Sequence, residues 1–535
     1  MMSTKITKTV WLWFFVSFVL FVSFVKARGA DTDVGVDKIF SKWNSTSTPG
    51  CAVGAAVAGK PVLAKGYGMA DLEHDVPITP DTIFEAGSVS KQFTAAAVLL
   101  LARDGKLSID DSVRKYIPEL PDYGVPLTIR HMLTHTSGLR DWGSVEAIAG
   151  WPRTSRAYTH AHVLDIVSRQ KSLNFTPGSR WSYSNTGFNL AAIIVARVSG
   201  QSFPDFARER LFEPVGMTHT SWRDDFTRVL KNRAIAYSER DGVFHTDMPF
   251  ENVYGNGGLL TTVGDLLHWN ENFTAPKIAD AAFETAQQQP ARLTDGRPLG
   301  YAFGLFETTI DGVRIIEHSG STAGYSAHLL RMPEQQVSVA VLCNATSARA
   351  TEYAHEVADA YLPSHVDTSP HPALSLPPPE SMAAIMATPA EIFAVSPAHR
   401  EWIFRNRDNG LVMTAAPAGS EWQVMGSSLA VVSRYSVVEG FRPVEKATPT
   451  PDQLRSLVGV YTSDEAETTL TVALSNDALV IKRRPDSEFT LTPLYADAFS
   501  APRLGTVIFR RDATGRVTAL SVVDDRVWDL RFARR

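Results

Sequence analysis

The order of signals along the chain predicts an α+β domain, one antiparallel sheet flanked by a helical region, followed by a β-barrel-like C-terminal domain. Three observations carry this reading. Strand patterns around residues 49–68 give way to helical periodicity from Phe84 to about Leu267, and strand patterns return from Tyr301 to Cys343 before a last helix over 350–361. Strands that bracket a helical run close most simply into one shared sheet. Prolines at 363, 370, 372 and 377–379 then interrupt the chain. Beyond them short alternating segments recur at about 8 to 12 residues, the spacing of a barrel or sandwich.

The chain opens with Lys5 and Lys8, an apolar run from Val10 to Val25, and the small residues of Ala27-Arg28-Gly29-Ala30. This reads as a signal peptide over 1–30, its apolar run shorter than the ~20 residues of a membrane-spanning helix. It predicts a secreted or periplasmic protein, with membrane anchoring only through that segment where it stays uncleaved. The α+β domain is expected over 31–364, a Pro-rich linker over 365–380, a β-rich intervening region over 381–448 and the barrel over 449–535.

Within the first domain, residues 49–68 read as a hairpin turning at Ala58-Gly59. A buried helix begins near Ser88, Thr128 caps a short helix, another runs from Gly187 to Val198 and ends at Gly200, and Thr262-Val263-Gly264-Asp265 opens one more. Four strands follow, over Tyr301–Thr308, Val313–Glu317, Ser326–Met332 and Val337–Cys343. Past the prolines, strands are expected around 402–405 and 411–414, and then over 468–473, 478–482, 489–492, 507–511, 517–523 and 527–532.

The 535 residues are 44% hydrophobic and 20% charged with a net charge of −5, ample for a large core and without a basic face for nucleic acid. Cys51 and Cys343 are the only cysteines, so no disulfide framework holds the fold. Both fall in predicted strands. One disulfide and two buried thiols are both open readings.

The chemistry centres on Ser88 and Lys91, three residues apart on one helix face, where the amine reaches the hydroxyl and activates it as a nucleophile. Ser-x-x-Lys also occurs at Ser23/Lys26, Ser112/Lys115 and Ser168/Lys171. Those three sit in membrane-facing or solvated settings, and Ser88 alone opens a buried helix. Two further clusters are candidates: Trp181-Ser182-Tyr183-Ser184-Asn185-Thr186-Gly187, a polar loop before an apolar helix, and Glu317-His318-Ser319-Gly320-Ser321 at a strand end.

Ser-x-x-Lys, Tyr-x-Asn and His-x-Gly, in this order, resemble the serine β-lactamases and penicillin-binding proteins over about Trp43 to Leu362. Residues 133–139 and 257–262 resemble the class C branch with its esterase and D-aminopeptidase relatives. From Leu457 onward the chain resembles the lipocalin-like domains appended to D-aminopeptidase-type members. The resemblance implies a β-lactamase/transpeptidase-like fold, an acyl-enzyme at Ser88, and Lys91 as base, directly or through Tyr183. Tyr183 protonates the leaving group, Asn185 holds Lys91 or the substrate, and the N–H groups of Ser88 and Ser321 form the oxyanion hole beside Gly320. No metal or organic cofactor is implied, and the partner is a small ester or peptide substrate. His135 reads as a loop-packing residue.

The family usually carries lysine where this chain has His318. Histidine, largely neutral at pH 7, binds a carboxylate less strongly. Esterase activity, or peptidase activity on D-amino-acid peptides, is therefore expected ahead of β-lactam or DD-carboxypeptidase hydrolysis. A catalytically silent protein that binds acyl ligands is the alternative from another class, with Ser88, Lys91 and Tyr183 all intact against it.

Overall fold

A computed structural model describes residues 35–153, 155–362, 402–406, 408–412, 421–425, 428–432 and 438–535. The predicted signal segment and Pro-rich linker lie outside the described residues. Among the described residues, no helix is long and apolar enough to cross a membrane.

Strands β1 (Cys51–Val57), β2 (Lys60–Tyr67), β3 (Phe306–Ile310), β4 (Val313–Thr322), β5 (Tyr325–Met332) and β6 (Val337–Cys343) form one sheet in the order β3-β4-β5-β6-β1-β2. Every neighbouring pair is antiparallel, so strands from both ends of the domain share the sheet as expected. The period-2 alternation sorts their side chains. Ala52, Ala56, Ala327, Leu329, Ala340 and Leu342 face the main core, while Val53, Ala55, Val339 and Val341 face a second one beneath the last helix.

Five helices matter for the site: α1 (Lys91–Arg103), α2 (Trp142–Ala149), α3 (Asn185–Ser199), α4 (Val263–Asn272) and α5 (Ala350–Tyr361). In α1 every residue from Lys91 to Leu101 is buried. Its Ala/Leu-rich sequence favours helix, and apolar groups on all sides suit a helix enclosed by others. Helix α3 ends at Gly200, whose φ of 75° closes it in the left-handed region. Thr128 and Thr262 accept the predicted capping bonds, from His131 N–H and Asp265 N–H.

The structure corrects several expected boundaries. The buried helix does not start as α-helix at Ser88, because a 3₁₀ turn, Gly87–Ser90, precedes it. Gly87 has a φ of 49°, and Ser90 Oγ donates to the Gly87 carbonyl at 2.5 Å, diverting the chain before α1. The strand predicted from Tyr301 begins only at Phe306, since Gly304 (φ 75°) turns the preceding residues against the backbone of Lys91 and Gln92. Strand β4 continues to Thr322, because β5 pairs with it through His318–Thr322. The helical region also holds a small sheet of Phe84–Glu85, Leu259–Thr261 and Ser221–Trp222, strands too short to show a period.

A closed barrel of eight strands completes the chain: β7 (Gly459–Ser463), β8 (Thr468–Ser475), β9 (Ala478–Arg483), β10 (Ser487–Pro493), β11 (Ala498–Ala501), β12 (Gly505–Arg511), β13 (Val517–Asp524) and β14 (Val527–Arg534). Pairing of β7 with β14 closes it. Upstream, Trp402–Asn406, Val438–Glu445, Ser428–Val432 and Glu421–Met425 pair in that order as a separate four-stranded sheet, and residues 411–412 contribute only a bridge from Val412 to Arg405.

The barrel docks on the α+β domain through buried charge. Arg140 pairs with Glu465 at 2.7 Å, both side chains nearly inaccessible, and donates to the Asp529 carbonyl. Arg484 donates to the Ala149 carbonyl at the C-terminal end of α2, where a cation meets the unpaired carbonyls and the negative end of the helix dipole.

Cys51 lies directly opposite Cys343 across β1 and β6, and the two form a disulfide. They are 292 residues apart in sequence, so the bond constrains a long loop of the unfolded chain. Replacing both cysteines by alanine is expected to lower the unfolding free energy by about 2–4 kcal/mol in urea titrations. An unchanged midpoint, with two titratable thiols in the native wild type, is the contrary result.

Candidate active site

Gly87 and Gly320 let two backbones meet. A Cβ on Gly87 would stand 2.6 Å from the amide nitrogen of Ser321, and one on Gly320 would collide with the Ala86 carbonyl and stand 2.9 Å from the amide nitrogen of Ser88. Glycine at both positions therefore lets β4 press against the turn that carries Ser88. The backbones of Ser88 and Ser321 are thereby brought close together at one cleft, and their N–H groups are the candidates for an oxyanion hole. Beneath the turn, a buried bidentate pair between Glu85 and Arg223, at 2.7 and 3.0 Å, anchors the strand that leads into it.

Lys91 is fully buried, and its Nζ lies 3.0 Å from Ser88 Oγ, 2.9 Å from Asn185 Oδ1 and 2.8 Å from the Asn256 carbonyl. Burial, reinforced by Arg526, holds its pKa well below the ordinary lysine value. A neutral amine has two N–H donors and one lone pair. Asn185 and Asn256 offer acceptors for both donors, which leaves the lone pair for the Ser88 O–H. The Tyr183 ring lies 4.7 Å from Nζ, and Tyr183 lines the same cleft as Ser88. Burial pushes the Tyr183 phenol far above the usual tyrosine range, so it carries its proton at neutral pH.

His135 packs the loop that carries Tyr183. Its carbonyl accepts from Ser182 N–H at 3.0 Å and its Nδ1 from Ser184 N–H at 3.1 Å, and its ring lies tilted against that of Tyr183, centroids 4.2 Å apart. It grips the chain on both sides of Tyr183, from a backbone φ of 58° that few non-glycine residues adopt.

His318 is buried, and both its ring nitrogens have protein partners, Tyr301 Oη at 3.2 Å from Nε2 and the Ser319 carbonyl at 2.6 Å from Nδ1. Burial, with Lys91 nearby, pushes its pKa down to about 3. His318 therefore lines the cleft as a neutral ring. Behind it, on the other face of β4, Glu317 Oε2 accepts from His328 and His355 at 3.0 and 2.7 Å, tying β4 to β5 and α5.

Ser88, Tyr183, Asn185, His318, Gly320 and Ser321 all line one cleft of about 490 Å³, with Lys91 at its floor. Of the competing Ser-x-x-Lys pairs, Ser23/Lys26 lies outside the described residues, Lys115 pairs with Asp111 near the surface, and Lys171 is largely exposed. Four contributors escaped the sequence reading. Asn256 directly precedes the quoted 257–262 stretch, and that adjacency was its one signal. Asp141, which accepts from Asn185 N–H at 2.7 Å, together with Tyr301 and Arg526, carries no local pattern.

The fold and the site define a class in which a serine on the 3₁₀ turn before a buried helix meets the lysine that opens the helix, and a strand completes the cleft. Residues 30–362 match the family model described as Beta-lactamase, and the chain belongs to that family. Penicillin-binding protein 4* of Bacillus subtilis (strain 168) is 30% identical over 307 residues, 54% of this chain and 67% of that protein. A D-aminopeptidase of Gluconobacter oxydans (strain 621H) is 28% identical over 304 residues, 56% of this chain and only 56% of that protein. Among solved structures, an octameric penicillin-binding protein homologue from Pyrococcus abyssi is similar with a TM-score of 0.53 at 21% identity, covering 96% of this chain and 98% of its own. That likeness is one of fold.

The neutral state of His318 has a measurable consequence. Its folded pKa of about 3 lies below the unfolded value of 6.5, so the unfolded chain takes up the proton first. The stability from keeping this ring neutral is whole above pH 6.5 and is lost as pH falls from there toward about 3. Urea unfolding between pH 7.5 and 4 is expected to lose stability less steeply in His318→Gln than in wild type. Parallel curves would contradict a buried neutral His318.

Proposed function

We propose that the protein is an exported serine hydrolase that forms an acyl-enzyme at Ser88 from small esters or amides, D-amino-acid peptides among them. The observation that carries this reading is the buried Lys91 amine, its two donors matched by Asn185 and Asn256 and its lone pair left to the Ser88 hydroxyl 3.0 Å away. A binding module has no need of a base held in that state.

Ser88 Oγ attacks the substrate carbonyl as its proton passes to Lys91. The negative charge on the carbonyl oxygen is met by the Ser88 and Ser321 N–H groups. Tyr183, kept protonated by burial and lining the cleft with Ser88, gives its proton to the departing amine or alcohol and is restored by the Lys91 ammonium. Water then attacks the ester, with Lys91 again taking the proton, and Ser88 is released. Lys91 thus acts directly on Ser88, since a phenol raised so far is a poor resting base.

Relatives named D-aminopeptidase, and fold neighbours titled D-stereospecific amidohydrolase and D-amino acid amidase, favour amides of D-amino acids. The relative named penicillin-binding protein 4* keeps β-lactam or DD-carboxypeptidase chemistry as the second reading. Export is supported by the signal-like 1–30 segment and by the Cys51–Cys343 disulfide, which suits an oxidising compartment. Cell fractionation with N-terminal sequencing of the mature protein tests it.

A fluorophosphonate is expected to label Ser88 stoichiometrically by intact mass and to leave Ser88→Ala unlabelled. Turnover of D-amino-acid anilides or short-chain esters should fall at least about 10³-fold in Ser88→Ala and Lys91→Ala. Because the folded Lys91 pKa is lowered, its base form is present well below pH 10.5, and acylation rises with pH through that lowered value and then levels. No adduct and no turnover with any ester, anilide, DD-dipeptide or cephalosporin would leave the silent acyl-binding reading standing.

A further inference from the structure

One cation in the cleft comes from the barrel. Strands β13 and β14 are joined by the two-residue turn Asp525-Arg526, and Arg526 lines the cleft with Ser88 and Tyr183. The turn is fastened to the α+β domain on every side. Asn174 Nδ2 donates to the Arg526 carbonyl at 2.9 Å while its Oδ1 accepts from Trp528 N–H at 2.9 Å. Asp141 N–H also donates to the Arg526 carbonyl, at 3.3 Å, and Ser182 Oγ to the Asp525 carbonyl, at 3.2 Å. These bonds fix the backbone and leave the guanidinium free to project.

The guanidinium lies over the Tyr183 ring, 4.9 Å from its centroid, and among the described residues it has no carboxylate within ion-pair distance. The carboxylates of Asp141 and Asp524 are turned to backbone N–H groups instead, those of Asn185 and Ser144 and that of Arg526 itself. Arg153, the cleft's other arginine, is already paired with Glu251. A guanidinium held over an aromatic ring and unpaired by protein carboxylates keeps its N–H groups for a ligand, and a carboxylate can take two of them in parallel hydrogen bonds. His318, on β4 in the same cleft, is neutral and engaged on both nitrogens.

We propose that Arg526 binds a carboxylate of the substrate beside the scissile bond, so that the barrel, not β4, sets a preference for carboxylate-bearing esters and amides. This rests on the acyl-enzyme reading above. It also reverses the expectation from His318 alone that such substrates are disfavoured.

The test uses the full-length protein and two matched pairs of N-acyl-D-alanyl thioesters. In one pair the leaving group is thioglycolate or its neutral amide; in the other the acyl cap is succinyl or acetyl. In at least one pair, Arg526→Gln is expected to lower the ratio of kcat/KM for the charged member to that for the neutral member about tenfold or more, whatever loss the two members share through Lys91. Arg526→Lys should recover part of the loss, and raised salt should weaken the wild-type preference. Equal losses in both members, or an unchanged ratio in both pairs, would overturn the proposal. Fluorophosphonate labelling of Ser88 is run on the same samples. A wild type that does not label refutes the acyl-enzyme reading, whereas normal labelling with an unchanged ratio refutes the role of Arg526 alone.

Discussion

The uncharged amine of Lys91 is the constraint on which the rest of the site depends. An ammonium removed from water without a carboxylate partner is costly, and the three groups around Nζ are a hydroxyl, an amide oxygen and a backbone carbonyl. All of them can accept from the amine, and none neutralises a charge. Each arrives from a different part of the chain: Ser88 from the turn before α1, Asn185 from the first residue of α3, and Asn256 from the loop before Leu259–Thr261. The helical region therefore has to pack correctly before the lysine can function as a base. Asp141 ties one of these parts, the start of α3, to α2, capping α2 through Ser144 N–H while holding Asn185 N–H.

The second constraint is steric, and it fixes register. Gly87 and Gly320 stand where any side chain would drive β4 off the Ser88 turn. Because strand side chains alternate, a shift of β4 by one residue would move His318 to the face of Glu317 and carry Gly320 away from Ser88. The Glu317–His328–His355 cluster on the far face and the Cys51–Cys343 bond at the far edge of β6 oppose such a slip.

Much of this was legible in the residues because it is local or repeated. The strand–helix–strand order, the caps at Thr128 and Thr262, the stop at Gly200 and the Ser88/Lys91 spacing follow from neighbours a few positions apart. What escaped depends on tertiary contact. The 3₁₀ start at Gly87 is imposed by a hydrogen bond from Ser90 and by the approach of β4. The strands Gly459–Ser463 and Ala498–Ala501 are short, and only closure of the barrel defines them. Tyr301 sits in what read as a strand, and its hydroxyl reaches His135 and His318 because Gly304 turns that segment back. Arg526 lies far along the chain from Tyr183 and meets it only because the barrel docks through Arg140, Asn174 and Arg484.

The hydrogen-bond polarity around His318 explains why a cation has to be brought in from elsewhere. Ser184 N–H donates to His135 Nδ1, so the neutral His135 ring carries its proton on Nε2 and donates to Tyr301 Oη, 3.1 Å away. Tyr301 then gives its own proton to His318 Nε2, and His318 Nδ1–H donates to the Ser319 carbonyl. One backbone amide sets the direction of the whole chain. An ammonium at position 318 offers no acceptor to Tyr301 and would reverse that polarity beside the buried Lys91, whose neutrality another cation in the same core would have to share. A guanidinium lining the cleft, partly buried and lying over Tyr183, supplies charge to the substrate without entering that core. It also helps to hold Lys91 in its base form, so recognition and activation draw on the same arginine from the barrel.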